Sequence, residues 1–394
     1  MLSVCYLKQR LRLFEWLMQS NVVPKIAIIL PSRERFRSGD AGAVALTVYE
    51  FCKASRYADE LVVFGGCAEH FPEVRYQHVA VSFAWLRGRN RAYGLKCLEI
   101  LREHSEIKLI EVHNRARLAL ALKKVLPNRR VTIHLHNDPQ GMAGVKTVAD
   151  REKLLRTVDH VYCVSKFVKM RLLEGVDPAL GARVEVVYNA ILSQQNNDEL
   201  TLTPPTVRQP WIVYAGRFIP EKGVLELAQS LAKILPQFPD WRVVFLGAWG
   251  FGHEAGKSAY EQSVYAALKD VADQIDFRGH VPHSEVMSVF NQSSIAVSPS
   301  TGAEAFGRTT LEAMDAGCAV VTSMSCGLKE VAGDAAIVIP QVTIEALSDA
   351  IIPLMQQSGL RQLCADRCQQ RAREVFSLPV QIEHLDAARD ALIA

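Results

Sequence analysis

Short apolar runs alternate with helix-length segments along nearly the whole chain, and a single polar stretch interrupts the alternation. Lys25–Leu30, Leu61–Phe64, Ile107–Val112, Val131–His136, His160–Val164 and Val184–Val187 read as strands, with helices between them such as Gly42–Lys53 and Ala116–Leu126. Strands that read as unbroken apolar runs are buried on both faces, which is the pattern of parallel sheets covered by crossover helices. After residues 193–210, which are polar and carry Pro204-Pro205, the pattern restarts. The new strands are Trp211–Ala215, Val243–Leu246, Ile275–Phe277, Ile295–Val297, Ala319–Thr322 and Ala336–Ile339.

The expected fold class is therefore α/β, with two Rossmann-like, doubly wound domains facing each other across a cleft. The boundaries expected are an amphipathic extension over 1–24, a first domain over 25–192 and a linker over 193–210. A second domain over 211–376 follows, then a C-terminal helix over 377–394 that is free to cross back onto the first domain.

Charge divides along the same line. The whole chain carries a formal +3, but the half before the linker is strongly basic and the half after it acidic. A basic first half suits an anionic acceptor or an anionic membrane surface. Nucleic acid is disfavoured as a partner, because no RNA-binding signature or zinc knuckle accompanies the charge. The first 20 residues mix Leu2, Leu7, Phe14 and Trp16 with Lys8, Arg10 and Arg12. An interfacial membrane helix, a helix docked on the protein itself and an upstream start codon all stay open for this segment. It lacks the cleavage site of a secretory signal. No run of apolar residues is long enough to span a bilayer. Nine cysteines without a Cys-x-x-Cys read as reduced thiols, so a cytoplasmic protein is expected, at the inner face of the membrane if the extension binds lipid.

The most informative segment runs from Ser298-Pro299-Ser300 through Glu304-Ala305-Phe306-Gly307-Arg308-Thr309-Thr310-Leu311-Glu312. A strand must give way to a helix there, so Gly307 and the amides beside it lie at a helix N-terminus, which favours an anion. One glutamate at the mouth and another inside the helix suit a ligand with phosphate at its centre and hydroxyls at both ends, such as a nucleotide-sugar. Ordinary solvated glutamates on a helical face would look the same in isolation. A second loop, Gly216-Arg217-Phe218-Ile219-Pro220-Glu221-Lys222-Gly223, follows the first strand of the second domain. Its guanidinium and ammonium can both reach one diphosphate. A third, Arg278-Gly279-His280-Val281-Pro282, exposes backbone groups that could pair with a nucleobase edge.

In order and spacing, Arg217, Lys222, Val281, Glu304, Gly307 and Glu312 resemble the signature of glycosyltransferase family 4, whose members have the GT-B fold. The resemblance covers essentially the second domain. It implies a retaining, nucleotide-sugar-dependent transferase. Arg217 and Lys222 would hold the diphosphate, and Val281 the base. Glu304 with Phe306 and Gly307 would bind the transferred sugar and its phosphate, Arg308 and Thr309 would flank them, and Glu312 would hold the ribose. In the first domain Gly39 and Gly42 stand where the family has a glycine-rich loop near the donor phosphate, here diluted and extended by Arg33, Arg35 and Arg37. His136 stands where the family places a histidine facing the sugar, so the catalytic set is His136, Glu304, Arg217 and Lys222. Arg33, Arg35, Arg37, His113 and Arg115 are the acceptor-side candidates.

No Asp-x-Asp occurs, so no metal and no other cofactor is expected; Arg217, Lys222 and the helix N-terminus would neutralise the leaving group. The expected donor is a nucleoside-diphosphate sugar, and the expected acceptor an anionic glycan or lipid-linked glycan of bacterial lipopolysaccharide or exopolysaccharide assembly. A nucleotide-sugar epimerase of the same fold and a non-catalytic sugar-binding protein are the alternatives. A nicotinamide-dependent dehydrogenase is excluded by the failed glycine spacing after Gly247.

Overall fold

Two parallel sheets, each wound in both directions from a central strand, carry the chain. The computed structural model describes residues 22–39, 41–81, 88–192, 208–250 and 258–394. Most of the expected extension and of the linker lies outside the described residues. The strands of the first sheet are β1 Ile26–Ile29, β2 Leu61–Gly65, β3 Tyr76–His78, β4 Leu109–His113, β5 Arg130–Leu135, β6 His160–Cys163 and β7 Val184–Val186. They lie in the order β3-β2-β1-β4-β5-β6-β7. Those of the second are β8 Gln209–Ala215, β9 Arg242–Leu246, β10 Ile275–Gly279, β11 Ser293–Ser298, β12 Ala319–Ser323 and β13 Ile337–Ile339, ordered β10-β9-β8-β11-β12-β13.

The helices around the first sheet are α1 Ala43–Ala54, α2 Arg89–Glu103, α3 Ala116–Val125, α4 Val148–Thr157 and α5 Lys166–Leu173. Around the second are α6 Val224–Ile234, α7 Ala259–Ala267, α8 His283–Gln292, α9 Arg308–Asp315, α10 Cys326–Ala332, α11 Ile344–Gln356 and α12 Ser358–Val375, and α13 Leu378–Ile393 closes the chain. The central strands are apolar on both faces because both are covered: every residue of β1, β2, β4 and β12 is buried. At an edge of the second sheet, β10 is half open, which leaves Phe277 partly exposed while it stacks on Phe245.

Strand order reverses between β1 and β4 in one sheet and between β8 and β11 in the other. Crevices form at such switch points, beyond the carboxyl ends of the strands. The loops after β8, β9, β10 and β11 therefore converge on one crevice, and those after β1, β4 and β5 on its counterpart.

The sequence pattern misses β3, a three-residue strand with Gln77 at its centre and no periodicity to mark it. β8 begins at Gln209, inside the stretch expected to be linker; Ser294 anchors that start by donating to the Gln209 carbonyl at 2.6 Å.

Two peptide hydrogen bonds hand the chain back to the first domain after α12: Ile191 N donates to Phe376 O at 3.0 Å, and Leu378 N to Ile191 O at 2.9 Å. From there α13 lays Leu378, Ile382 and Leu385 against Phe51, Tyr162, Val187 and Ala190. Burial of each such leucine or isoleucine is worth roughly 1.5–3 kcal/mol. Near its end Arg389 grips both oxygens of Glu111 on β4, at 2.9 and 2.7 Å, and Asp386 at 2.8 Å. Asp386 also accepts from the Ser55 hydroxyl at 2.8 Å and from Arg56 N at 2.9 Å. All three charged groups are essentially removed from solvent, so this network holds only because each charge meets its opposite. Among the described residues no helix is long and apolar enough to cross a membrane.

Candidate active site

Two loops of the second domain are pinned to each other before any ligand is considered. Gly223 has φ +63°, and a Cβ there would lie 2.0 Å from the Pro299 carbonyl oxygen. Only glycine allows that approach. The amides of Thr301 and Gly302 both donate to the Glu221 carbonyl at 3.0 Å. The Tyr214 hydroxyl, at the end of β8, donates to the Arg217 carbonyl at 2.8 Å. Arg217 and Lys222 are thereby set opposite Glu304, and Lys222 forms an ion pair with the Glu304 carboxylate.

These groups line a cavity of about 540 Å³ between the domains, together with Phe306, Gly307 and Arg308. His136, Asn137, Asp138 and Asn189 face them from the first domain. A second cavity of about 220 Å³ shares Arg217 and Arg308 with the first and is lined by Gly39, Gly216, His280, Val281, Thr309 and Glu312. Two guanidinium groups, those of Arg217 and Arg308, thus stand where the two cavities share walls.

Gly307 caps α9 with φ +99°, and a Cβ would stand 2.4 Å from Leu328 Cδ2. Phe306 is 3% exposed, with its ring edge-on to Phe376, so only its backbone is available to the cavity. Glu304 is held by its backbone, its amide donating to Ser325 Oγ at 3.1 Å and its carbonyl accepting from Gly327 N at 2.9 Å.

Glu312 is buried yet ionised. Burial would raise its pKa, but Arg308 and His283 overcome that and hold it below the usual carboxylate range. Arg308 Nε donates to Glu312 Oε1 at 2.8 Å, and His283 Nε2 lies 2.9 Å from the same oxygen. Burial alone would lower the pKa of His283; its bond to Glu312 raises it instead.

His136 sits at the end of β5, where its amide donates to Asn114 Oδ1 at 2.8 Å. Asn114 adopts φ +54° there, a left-handed conformation that asparagine tolerates. Burial pushes the His136 pKa down to about 3, with His134 adding to the effect and Asn189 opposing it. At neutral pH it is therefore an uncharged imidazole with one donor and one acceptor nitrogen, of which Nε2 is paired with His113 Nδ1 at 2.8 Å.

Several candidates stand elsewhere. His113 does not reach the cleft: it is 4% exposed, its Nδ1 lies 2.8 Å from His136 Nε2, and its ring stacks on His134. It belongs to a small buried cavity beneath the site, because its β4 position aims it between sheet and α13. Arg33 and Arg35 are exposed on the loop after β1, and Arg37 pairs with Glu69. Arg115 turns back to donate to the Asn114 carbonyl at 3.0 Å. None of these arginines lines either cavity. Gly42 caps α1 and also lies outside both cavity walls. Arg308 differs most from expectation: its three guanidinium nitrogens are all taken by protein acceptors, two of them on α1 of the first domain.

Glu111, His113 and His134 bring three potential metal-ligand atoms within 4.8 Å of one another. Both Glu111 oxygens already sit on Arg389, so its negative charge is spent in that pair.

Family models match both halves of the chain: residues 203–374 match "Glycosyl transferases group 1" and residues 44–194 match "Glycosyltransferase Family 4". The chain belongs to the family 4 glycosyltransferases. Among curated members, it is similar to the putative glycosyltransferase YtcC of Bacillus subtilis, at 27% identity over 58% of each chain. It also resembles the lipopolysaccharide 1,2-N-acetylglucosaminetransferase of Salmonella typhimurium, at 25% identity over 71% of each. Among solved structures, the Anabaena protein HepE in complex with UDP and glucose superposes with TM-score 0.72 at 17% identity, covering 93% of this chain and 100% of that one. The family 4 chain thus has the GT-B fold.

His283 and Glu50 were invisible to the sequence reading. His283 stands just after the noted Val281-Pro282 turn, and its position at the start of α8 was the available signal. Glu50 gave none, since its partner is 258 residues away.

Proposed function

We propose that this chain transfers a hexose-type sugar from a nucleoside-diphosphate sugar to a hydroxyl of a glycan or glycolipid, with retention of anomeric configuration and without a metal ion. One observation carries the reading: Arg217, Lys222, Glu304 and Gly307 share the wall of a cavity that adjoins a second one holding Glu312. The spacing suits a donor whose sugar and phosphates occupy the larger space and whose nucleoside occupies the smaller. The UDP and glucose complex of the Anabaena neighbour supports a nucleotide-sugar donor. The Salmonella relative supports an acceptor in lipopolysaccharide assembly.

In this mechanism Arg217 and Lys222 neutralise the departing diphosphate, assisted by amides at the start of α9. Lys222 exchanges part of its contact with Glu304 for the phosphate, which leaves the carboxylate to accept hydrogen bonds from sugar hydroxyls. As the bond from the anomeric carbon to the diphosphate oxygen breaks, the acceptor hydroxyl attacks the same face, and its proton passes to the diphosphate oxygen. His136, neutral and fixed through Asn114, orients the sugar from the opposite wall. Closing the domains over this site excludes water as a competing acceptor.

Thermal-shift screening against UDP-, GDP-, ADP- and dTDP-sugars tests the donor assignment. One of them should raise the melting temperature of the wild type and fail to raise that of Glu312→Ala. Absence of stabilisation by all four would defeat the proposal.

A further inference from the structure

An ion-pair chain crosses from the first domain into the nucleoside cavity. Arg308 Nη2 donates to Glu50 Oε1 at 2.6 Å and Nη1 to Glu50 Oε2 at 3.0 Å, both on α1. Nη1 also donates to the Thr47 hydroxyl at 3.1 Å. The remaining nitrogen, Nε, reaches Glu312 Oε1 at 2.8 Å. Arg308 is 7% exposed and Glu312 5%. A guanidinium is rigid and planar, so fixing its outer edge fixes which way its Nε edge points.

The two donors to Glu312, Arg308 and His283, converge on Oε1. Oε2 takes neither of them, on a side chain that lines the smaller cavity. We propose that Glu50 is a positioning residue for the nucleoside: by holding the outer edge of Arg308, it keeps that guanidinium on Oε1 and reserves Oε2 for ribose hydroxyls. Without Glu50 the freed Nη groups turn onto Oε2, since a buried guanidinium seeks a second carboxylate oxygen, and a bidentate Arg308–Glu312 pair then competes with the ribose.

A consequence is reciprocal coupling. Glu50 sits on the first domain and Glu312 on the second, so bringing α1 against α9 favours nucleoside binding, and nucleoside binding favours the closed arrangement. The inference rests on the donor reading above, in particular on Glu312 meeting ribose.

Calorimetric titration separates the two. UDP, GDP, ADP and inorganic diphosphate are titrated into wild type and into Glu50→Gln, which preserves shape and removes charge. The nucleotide that binds wild type should bind Glu50→Gln about tenfold more weakly, the usual effect of losing a charge-assisted contact. Inorganic diphosphate, which has no ribose, should bind both alike. The 2′,3′-dideoxy form of that nucleotide should also bind both alike. Equal weakening of nucleotide and diphosphate, or no weakening of either, overturns the positioning role. A wild type that binds none of the nucleotides overturns the donor reading itself. If Glu50→Gln does not fold, Glu50→Asp serves instead, keeping the charge but shortening the side chain so that it cannot hold both Nη groups; it should show the same preference for weakening ribose-bearing ligands, and an equal loss for diphosphate overturns the role.

Discussion

Acid should unfold this protein through three histidines, His136 at the active site and His113 and His134 beneath it, before its carboxylates are neutralised. His134 has its pKa pushed down to about 4 and His136 to about 3, in both cases chiefly by burial, and His113 is held well below the ordinary value by burial and by its two histidine neighbours. His134 and His136 are neutral when folded at pH 5 and His113 is shifted in the same direction, whereas in the unfolded chain all three are protonated below about 6.5. A histidine with a depressed folded pKa contributes stability that is present above the unfolded value and lost as pH falls through it. At pH 5 the loss is about 2 kcal/mol for each of His134 and His136, hence on the order of 4 kcal/mol for the pair with His113 acting in the same direction, a large share of the stability of many domains. His283 works the other way: its pKa is raised through Glu312, so its contribution is present at low pH and fades as pH rises past it. Urea unfolding followed at pH 7, 6 and 5 measures the slope. His134→Phe keeps an aromatic ring between His113 and Tyr162, and His134 Nε2 makes no hydrogen bond to lose. That variant should flatten the dependence below pH 6 by about 1.4 kcal/mol per pH unit, one proton's worth. A slope identical to wild type would refute the reasoning.

Arg389→Met strands Glu111 and Asp386 in the interior and should destabilise the protein by roughly 3–5 kcal/mol, read from the urea midpoint. Adding Glu111→Gln and Asp386→Asn should restore most of the loss, and if it does not, the network is not what fixes α13. Gly307→Ala combines φ +99° with a Cβ 2.4 Å from Leu328 Cδ2; it should cost about 2 kcal/mol or more and lower sugar transfer, as measured by melting temperature and turnover.

The sequence made most strands of both sheets legible because parallel strands covered on both faces leave continuous apolar runs, as Ile26–Ile29 and Leu61–Phe64 do. It failed at Tyr76–His78, an edge strand too short for any period. Loops that end central strands were readable as ligand loops, so Arg217, Lys222, Glu304 and Glu312 could be named, and the structure places all four on the walls of adjoining cavities. What sequence reasoning could not supply was the partner of each charge. Arg308 looked like a donor contact because it lies between two such glutamates, yet Glu50 claims its outer edge from the other domain. His113 is in register with His134 on the neighbouring strand, whereas His136 stands two residues further on, past the end of the strand, and only it meets the cleft.

The position of α13 bears on how the protein is made. Phe51, Tyr162 and Val187 emerge from the ribosome early, and the surface that covers them, Leu378, Ile382 and Leu385, is translated much later. At ~5–20 residues per second, the intervening stretch takes on the order of 10–40 s to translate. During that interval the nascent first half presents an oily face and an unmatched Glu111 carboxylate to the surroundings. A premature stop just before Leu378 would leave both nucleotide-side loops intact and still yield a polypeptide prone to aggregate.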